Sequence, residues 1–447
     1  MTKEQEVKDY MIKHLPDYYV YLRIPGISAQ GKGIDETVKW LTDKFTELGA
    51  IEVKQWHELG GNPVLYAEFA GNSEQTVLFY NHYDVQPPDP LDEWESDPFE
   101  PTERNGKIYA RGVADDKGEL ISRMIVLQYF AEHGGLPVNM KFIIEGQEEV
   151  GSPTIQDYVH AHRAELTADA CIWEGGGKDE DEKFEITAGL KGCLSFDMEV
   201  ETAKKDLHSS LASYADNAAW RLAQALNSLK DETGHVLVDG YYDDIKPLEL
   251  AAKKALEEME FNGDEVKKQF GLKRPFVTDD PVGELINGTT MTINGISAGY
   301  EGAGVKTVIP RRALAKFDCR LVPDQKPAKI FELVRKHLDT HGFSDIKINL
   351  QVAEDPSRTS LEDEFIKLNI AVAKEVYGES STTVIPNSAG TGPGAQFVEE
   401  LNLPLVSVGI GYSGNGPHGP NEHIRNEDFR DGSWFMYRLL EECGKKK

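Results

Sequence analysis

Cysteine is scarce and unpatterned in this sequence of 447 residues, where only Cys171, Cys193, Cys319 and Cys443 occur. Their wide separation gives no thiolate pair with metal-ligand spacing and no disulfide framework. Three of them sit in strand-like runs, where a small buried hydrophobe is the expected role. Positive charge is also in deficit: 48 Lys and Arg stand against 76 Asp and Glu, a formal charge of −28. That balance repels phosphate backbones and anionic bilayers, so neither nucleic acid nor membrane is an expected partner. No uninterrupted apolar run is long enough to span a bilayer. The opening segment Met1-Thr2-Lys3-Glu4-Gln5-Glu6-Val7 lacks the apolar core of a signal peptide. Internal repeats and low-complexity segments are missing too, and Lys445-Lys446-Lys447 reads as a solvated end. A cytoplasmic enzyme is the class these absences leave.

What is present is a set of apolar runs that stop at acids and histidines. Val77-Leu78-Phe79-Tyr80 reads as a buried strand, and Asn81-His82-Tyr83-Asp84 follows where it runs out. Val138 to Ile144 is a second such run, ending in Glu145-Gly146-Gln147-Glu148-Glu149. Ala168 to Trp173 ends in Glu174, and Leu405 to Ile410 leads into a Gly-rich loop bearing His418. Between the first two lies Arg111-Gly112-Val113-Ala114-Asp115-Asp116-Lys117-Gly118, followed by a helical stretch with Leu120, Met124, Leu127 and Ala131 on one apolar face. In an open parallel sheet, ligands bind beyond the carboxyl ends of the strands. Singly, each acid reads equally well as a helix cap or first-turn residue. Two His and three carboxylates converging on one edge form instead a ligand set for two divalent ions sharing a bridging carboxylate.

The length predicts two domains. Up to about residue 190, strands alternate with helices, as in a parallel sheet wrapped by helices. Period-two alternation then takes over at Leu194, Phe196, Met198 and Val200, again at Ala315, Phe317, Cys319 and Leu321, and at Ile346, Ile348, Leu350 and Val352. With helices at about 216–229 and 327–340, and a further strand near 291–296, this predicts an inserted ferredoxin-like α+β domain. The expected division is 1–190 and 354–447 for the larger α/β domain and 191–353 for the insertion.

The sequence resembles the co-catalytic di-metal peptidases that include cytosolic carnosine-type dipeptidases, glutamate carboxypeptidase, aminoacylase and the acetylornithine and succinyl-diaminopimelate deacylases. The resemblance is carried by His82-Tyr83-Asp84-Val85-Gln86-Pro87, by the segment from Arg111 to Gly118, by Glu145-Gly146-Gln147-Glu148-Glu149-Val150-Gly151-Ser152, and by Pro417-His418-Gly419-Pro420-Asn421-Glu422. It implies a mixed, largely parallel sheet between helices and an inserted lid or dimerisation domain. His82 and Glu174 would bind one metal, Glu149 and His418 the other, with Asp115 bridging. The ions would be zinc, with manganese or cobalt as alternatives. Asp84 would orient His82, and Glu148 would be the general base. A cis Asp115–Asp116 peptide belongs to the same pattern. His208, in Asp206-Leu207-His208-Ser209, would polarise the scissile carbonyl from the partner of a homodimer. Arg320 would anchor a substrate carboxylate, and Thr391 would touch substrate.

The resemblance implies a dipeptidase acting on small peptides with a free carboxylate. Glu174 departs from that branch, which usually carries Asp there, whereas carboxypeptidases and deacylases usually carry Glu. A deacylase acting on N-acyl amino acids, or a carboxypeptidase, is therefore the alternative within the family. A non-catalytic metal- or peptide-binding protein would be expected to have lost the base or a ligand, yet all six positions are filled. Gly390-Thr391-Gly392-Pro393-Gly394 lacks the spacing of a dinucleotide loop.

Overall fold

The run that ends in His82 is an interior strand of a ten-stranded sheet in the computed structural model, which describes residues 1–445. Lys446 and Lys447, expected as part of a solvated end, lie outside the described residues. Thr76–His82 pairs in parallel with Asn139–Glu145 on one side and with Ala170–Trp173 on the other. Leu405–Ser407 lies parallel to Ala170–Trp173 in turn. Antiparallel strands Val64–Phe69 and Glu52–Trp56 extend one edge, so the sheet is mixed but parallel at its centre. The register aligns His82 with Glu145 and Trp173 with Ser407. Four strands therefore release their chains at one edge.

Strand pleating sorts the side chains into two cores. Val77 and Phe79 go into the larger core with the helices Ile34–Glu47, Lys117–Glu132 and Asn426–Cys443. Leu78 and Tyr80 face the opposite side, against Tyr158 and Val159 of Ile155–Ala161. The helix Lys117–Glu132 is not one-sided as its spacing predicts: Lys117 through Leu127 are all buried, Ser122 and Arg123 included. It is enclosed by the sheet, the N-terminal helix Lys3–His14 and the C-terminal helix. Its polar groups therefore need internal partners.

A second, four-stranded antiparallel sheet runs in the order Thr292–Ala298, Arg312–Leu321, Gly192–Glu201, Lys347–Glu354. With Ala218–Leu229 and Pro327–Thr340 it builds its own core, including Phe196, Phe317, Leu222 and Val334. The alternation holds for the two inner strands. On the edge strand it fails, where Leu350 and Val352 are exposed. A register shift between Ser195 and Phe196 pairs Val352 with outward Ser195, which flips it to the outer face. Between these strands the chain also forms the helix Leu250–Glu257, which no pattern in the sequence predicts. Its Ala252 packs on the larger core, so the interval 191–353 does not all sit in the smaller one. The four cysteines are all buried.

Candidate metal centre

His82 ends its strand fully buried, between two sets of oxygens. Its Nδ1 lies 3.0 Å from the Asp84 backbone carbonyl and 3.4 Å from the Asp84 carboxylate. Its Nε2 lies 2.9 Å from Asp115 Oδ1 and 3.7 Å from Glu174 Oε2. Asp115 turns its other oxygen, Oδ2, to His418 Nε2 at 3.1 Å. The same His418 nitrogen is 3.2 Å from Glu149 Oε2. One carboxylate thus spans two histidines, each accompanied by a further acid. The loop holding His418 takes a left-handed conformation there, with φ 62°, and the peptide between Asp115 and Asp116 is cis.

The electrostatics follow from burying acids together. Burial disfavours a charged His82, but the Glu174, Asp115 and Asp84 carboxylates outweigh it and hold the imidazolium form well above its usual range. His418 is raised to about 10 through its bonds to Asp115 and Glu149. Asp115 is held well below the usual carboxylate range, its burial overcome by the two histidines. Glu148 is pushed up to about 7 by burial, with His82 opposing and Asp115, Glu149 and Asp84 adding to the rise.

The donor set fits divalent cations. Two groups of ligand atoms gather within 4.8 Å of one another: His82, Asp116 and Glu174, and Asp115, Glu149 and His418. Glu174 Oε2 and Asp116 Oδ1 are buried with no hydrogen-bond partner among the described residues, an unfavourable state that a cation relieves. His82 keeps Nδ1 on a carbonyl oxygen, leaving Nε2 as the ligand nitrogen.

Asp84 faces the Nδ1 edge of His82 with its backbone carbonyl and, at 3.4 Å, its carboxylate, which also accepts the N–H groups of Glu148 and Glu149, each at 3.2 Å. Asp84 therefore fixes the turn that carries Glu148 and Glu149. Gln86 Nε2 holds Glu149 Oε2 at 2.8 Å. Arg320 and Thr391, chosen separately, meet: Arg320 Nη1 donates to Thr391 Oγ1 at 2.8 Å, linking the second sheet to the larger domain. His208 is exposed and bonded to Ser210, not to the cluster.

Sequence reading missed the supporting polar residues. Buried Glu422 accepts from Arg111 Nη1 at 2.6 Å and from the backbone N–H groups of Gly112, Ala114 and Asp115. Arg111 also donates to the His418 carbonyl. Asp116 Oδ2 accepts from Asn81 Nδ2 and from the His82 N–H. Arg123 donates to Tyr80 O, Asn81 Oδ1 and Trp173 O, tying two strand ends together. Buried Arg and Asn have no periodicity that separates them from solvated ones.

A family model described as "Peptidase family M20/M25/M40" matches residues 78–442. The chain belongs to that family. Among solved structures, this family member is similar to an M20 family metallo-carboxypeptidase, Sso-CP2 from Sulfolobus solfataricus. The two are 37% identical with a TM-score of 0.89, covering 99% of this chain and 100% of that one. The dipeptidase Dug1p from Saccharomyces cerevisiae is 25% identical with a TM-score of 0.82, over 99% of both chains. The Homo sapiens Beta-Ala-His dipeptidase is 30% identical over 87% of this chain and 78% of its own. The candidate ligand groups in this M20 peptidase lie within the matched segment. No helix among the described residues is long and apolar enough to cross a membrane.

Proposed function

We propose that the chain is a metal-dependent dipeptidase that hydrolyses the amide bond of small peptides bearing a free carboxylate. The observation that carries this reading is Asp115, with one oxygen on His82 and the other on His418, beside the half-buried acid Glu148. His82 and Glu174 would hold one cation, Glu149 and His418 a second, and Asp115 both; zinc is the first candidate, with manganese or cobalt next. Bound divalent cations supply the positive charge that acidifies a water and polarises a carbonyl. Glu148 takes the proton of the attacking water and returns it to the leaving nitrogen. An acid pushed up to about 7 is matched to that exchange near neutrality. Arg320, oriented by Thr391 and Asp318, pairs with the substrate carboxylate.

The same proposal takes 1–190 and 354–447 as the catalytic part, 191–353 as the lid, and a homodimer as the working form. Exposed His208, without a contact to its own cluster, then serves the partner's site. Few, scattered and buried cysteines together with the acidic charge support a cytoplasmic setting. Glu174 and the likeness to a carboxypeptidase favour a second reading, removal of one residue from the carboxyl end of longer chains. Turnover of a dipeptide, its N-acetyl form and a tripeptide, before and after chelation, tests both, and the deacylase alternative with them. A dipeptidase needs the free amine and cleaves the dipeptide alone; a carboxypeptidase or deacylase accepts the acetylated form. Activity indifferent to chelation would defeat all three.

A further inference from the structure

A cavity of about 650 Å3 opens beside Asp115 and Glu174 and runs along Gly175-Gly176-Gly177 to the strand Phe184–Thr187. Pleating decides what that strand shows it. Phe184 and Ile186 enter the larger core, so Glu185 and Thr187 line the cavity. The glycines let the floor come close: a Cβ on Gly177 would sit 1.9 Å from the Gly411 carbonyl oxygen.

The charged walls are unequal. Lys178, the one base among the lining residues, is paired with Asp428 at 2.7 Å. Asp179 accepts the N–H groups of Asp181 and Lys183, and Glu180 is exposed at the rim. Glu185 is different. It is half-buried, and no hydrogen bond or ion pair reaches its carboxylate among the described residues. Burial, then Asp179, pushes its acid up to about 7. A carboxylate kept from water without a counter-charge is unfavourable, and a cation delivered by a ligand relieves it. Trp173 and Leu190 supply apolar wall on the same cavity, suited to a methylene stem. Arg320 and Thr391 do not line it, so a substrate whose carboxylate is held there has its other residue free to enter.

We infer that Glu185 sets the specificity of this site, selecting a lysine- or arginine-like cationic side chain on the residue at the amino side of the scissile bond. The inference rests on the peptidase reading and adds the substrate class to it. The stem lies along Trp173 and Leu190, and the cationic end reaches Glu185.

The test compares lysyl-alanine with norleucyl-alanine, its neutral equivalent in length, and with glutamyl-alanine. A charge-assisted contact in a half-buried site predicts a kcat/KM for lysyl-alanine at least about tenfold above norleucyl-alanine in the wild type. Glu185→Gln should erase that ratio and leave norleucyl-alanine turnover within about twofold, which also shows that the variant folds. Glu185→Lys should turn the preference toward glutamyl-alanine, and Glu180→Gln should leave it unchanged. Calorimetric binding of lysine amide against norleucine amide gives the same contrast without turnover. Equal wild-type values, or a lysyl preference that survives Glu185→Gln, overturns the inference. A wild type that cleaves no dipeptide overturns the peptidase reading instead, and the calorimetric contrast then decides the cavity's preference separately.

Discussion

Glu422→Gln exchanges one carboxylate oxygen for an amide group and tests whether the metal edge is held together by a single buried acid. In the folded chain Oε2 accepts Arg111 Nη1 at 2.6 Å and the Gly112 N–H at 2.9 Å. Oε1 accepts the Ala114 N–H at 2.8 Å and the Asp115 N–H at 3.1 Å. Burial pushes the acid up to about 7, with Arg111 and the backbone donors opposing. Four donors on two oxygens leave no place for a proton, so the ionised form is the one this geometry accommodates. In glutamine, one of the two positions becomes a donor facing donors. Either buried Arg111 loses its counter-charge or the Ala114–Asp115 turn loses its anchor. Breaking a buried pair from one side costs about 3–5 kcal/mol, a large part of the roughly 5–15 kcal/mol typical of a folded domain. Guanidinium unfolding of the metal-free protein reads this as a lower midpoint at unchanged slope. The double variant Arg111→Met with Glu422→Gln should lose less than Glu422→Gln alone, because no buried charge is left without its counter-charge and the amide oxygen still accepts the N–H groups of the turn. Metal affinity, read by chelator competition, should fall about 10–100-fold as Asp115 loosens. A Glu422→Gln protein within about 1 kcal/mol of wild type refutes the argument.

Glu148→Gln should lower kcat by about 10²–10⁴-fold with metal content unchanged by elemental analysis; an active, metal-replete variant removes Glu148 as the base. Arg320→Ala should reduce kcat/KM by about 10–100-fold for peptides with a free carboxylate and spare their amides; equal losses on both would mean that Arg320 holds the domains and not the substrate. Glu119 and Glu145 are pushed up to about 8 by burial, far above an unfolded glutamate. Their contribution to stability is therefore full below about pH 4.5 and is lost as pH rises through 8, at up to ~1.4 kcal/mol per pH unit for each group. Glu145→Gln, which mimics the protonated acid, should flatten that slope in urea titrations at several pH values, and an unchanged slope would contradict it. Mixing His208→Ala with Glu148→Gln subunits should restore activity in verified heterodimers if His208 works across a dimer.

The sequence makes the ends of strands legible and says little about what braces them. The apolar runs 77–80, 138–144, 168–173 and 405–410 are visible because a strand buried on both faces is continuously hydrophobic. The helices 218–229 and 327–340 and the inner strands of the small sheet are legible for the complementary reason, a strict period facing one core. Arg111, Arg123, Asn81, Asp116 and Glu422 are not, because a buried polar residue is defined by partners up to 311 residues away in sequence. Lys117–Glu132 misleads in the same sense: its apolar stripe is real, but Arg123 and Ser122 are buried on its other side. Glu185 reads as an ordinary outward residue of a short strand until the fold reveals the cavity it faces.

These braces also make the metal edge a late product of the chain. The strand order places Leu405–Ser407 between Ala170–Trp173 and Phe184–Thr187, so the sheet stays open until residues beyond 400 arrive. His418 and Glu422 come from that same final stretch. One supplies a nitrogen to Asp115, and the other holds the backbone on which Asp115 sits. Arg111 answers both, donating to the His418 carbonyl and to the Glu422 carboxylate. Closing the sheet, seating Asp115 and positioning the second histidine thus draw on one shared set of contacts. The first part of the chain can hold His82 and Glu174 near each other through strand pairing alone. It cannot hold Asp115 between two histidines, the arrangement on which the proposed hydrolysis rests.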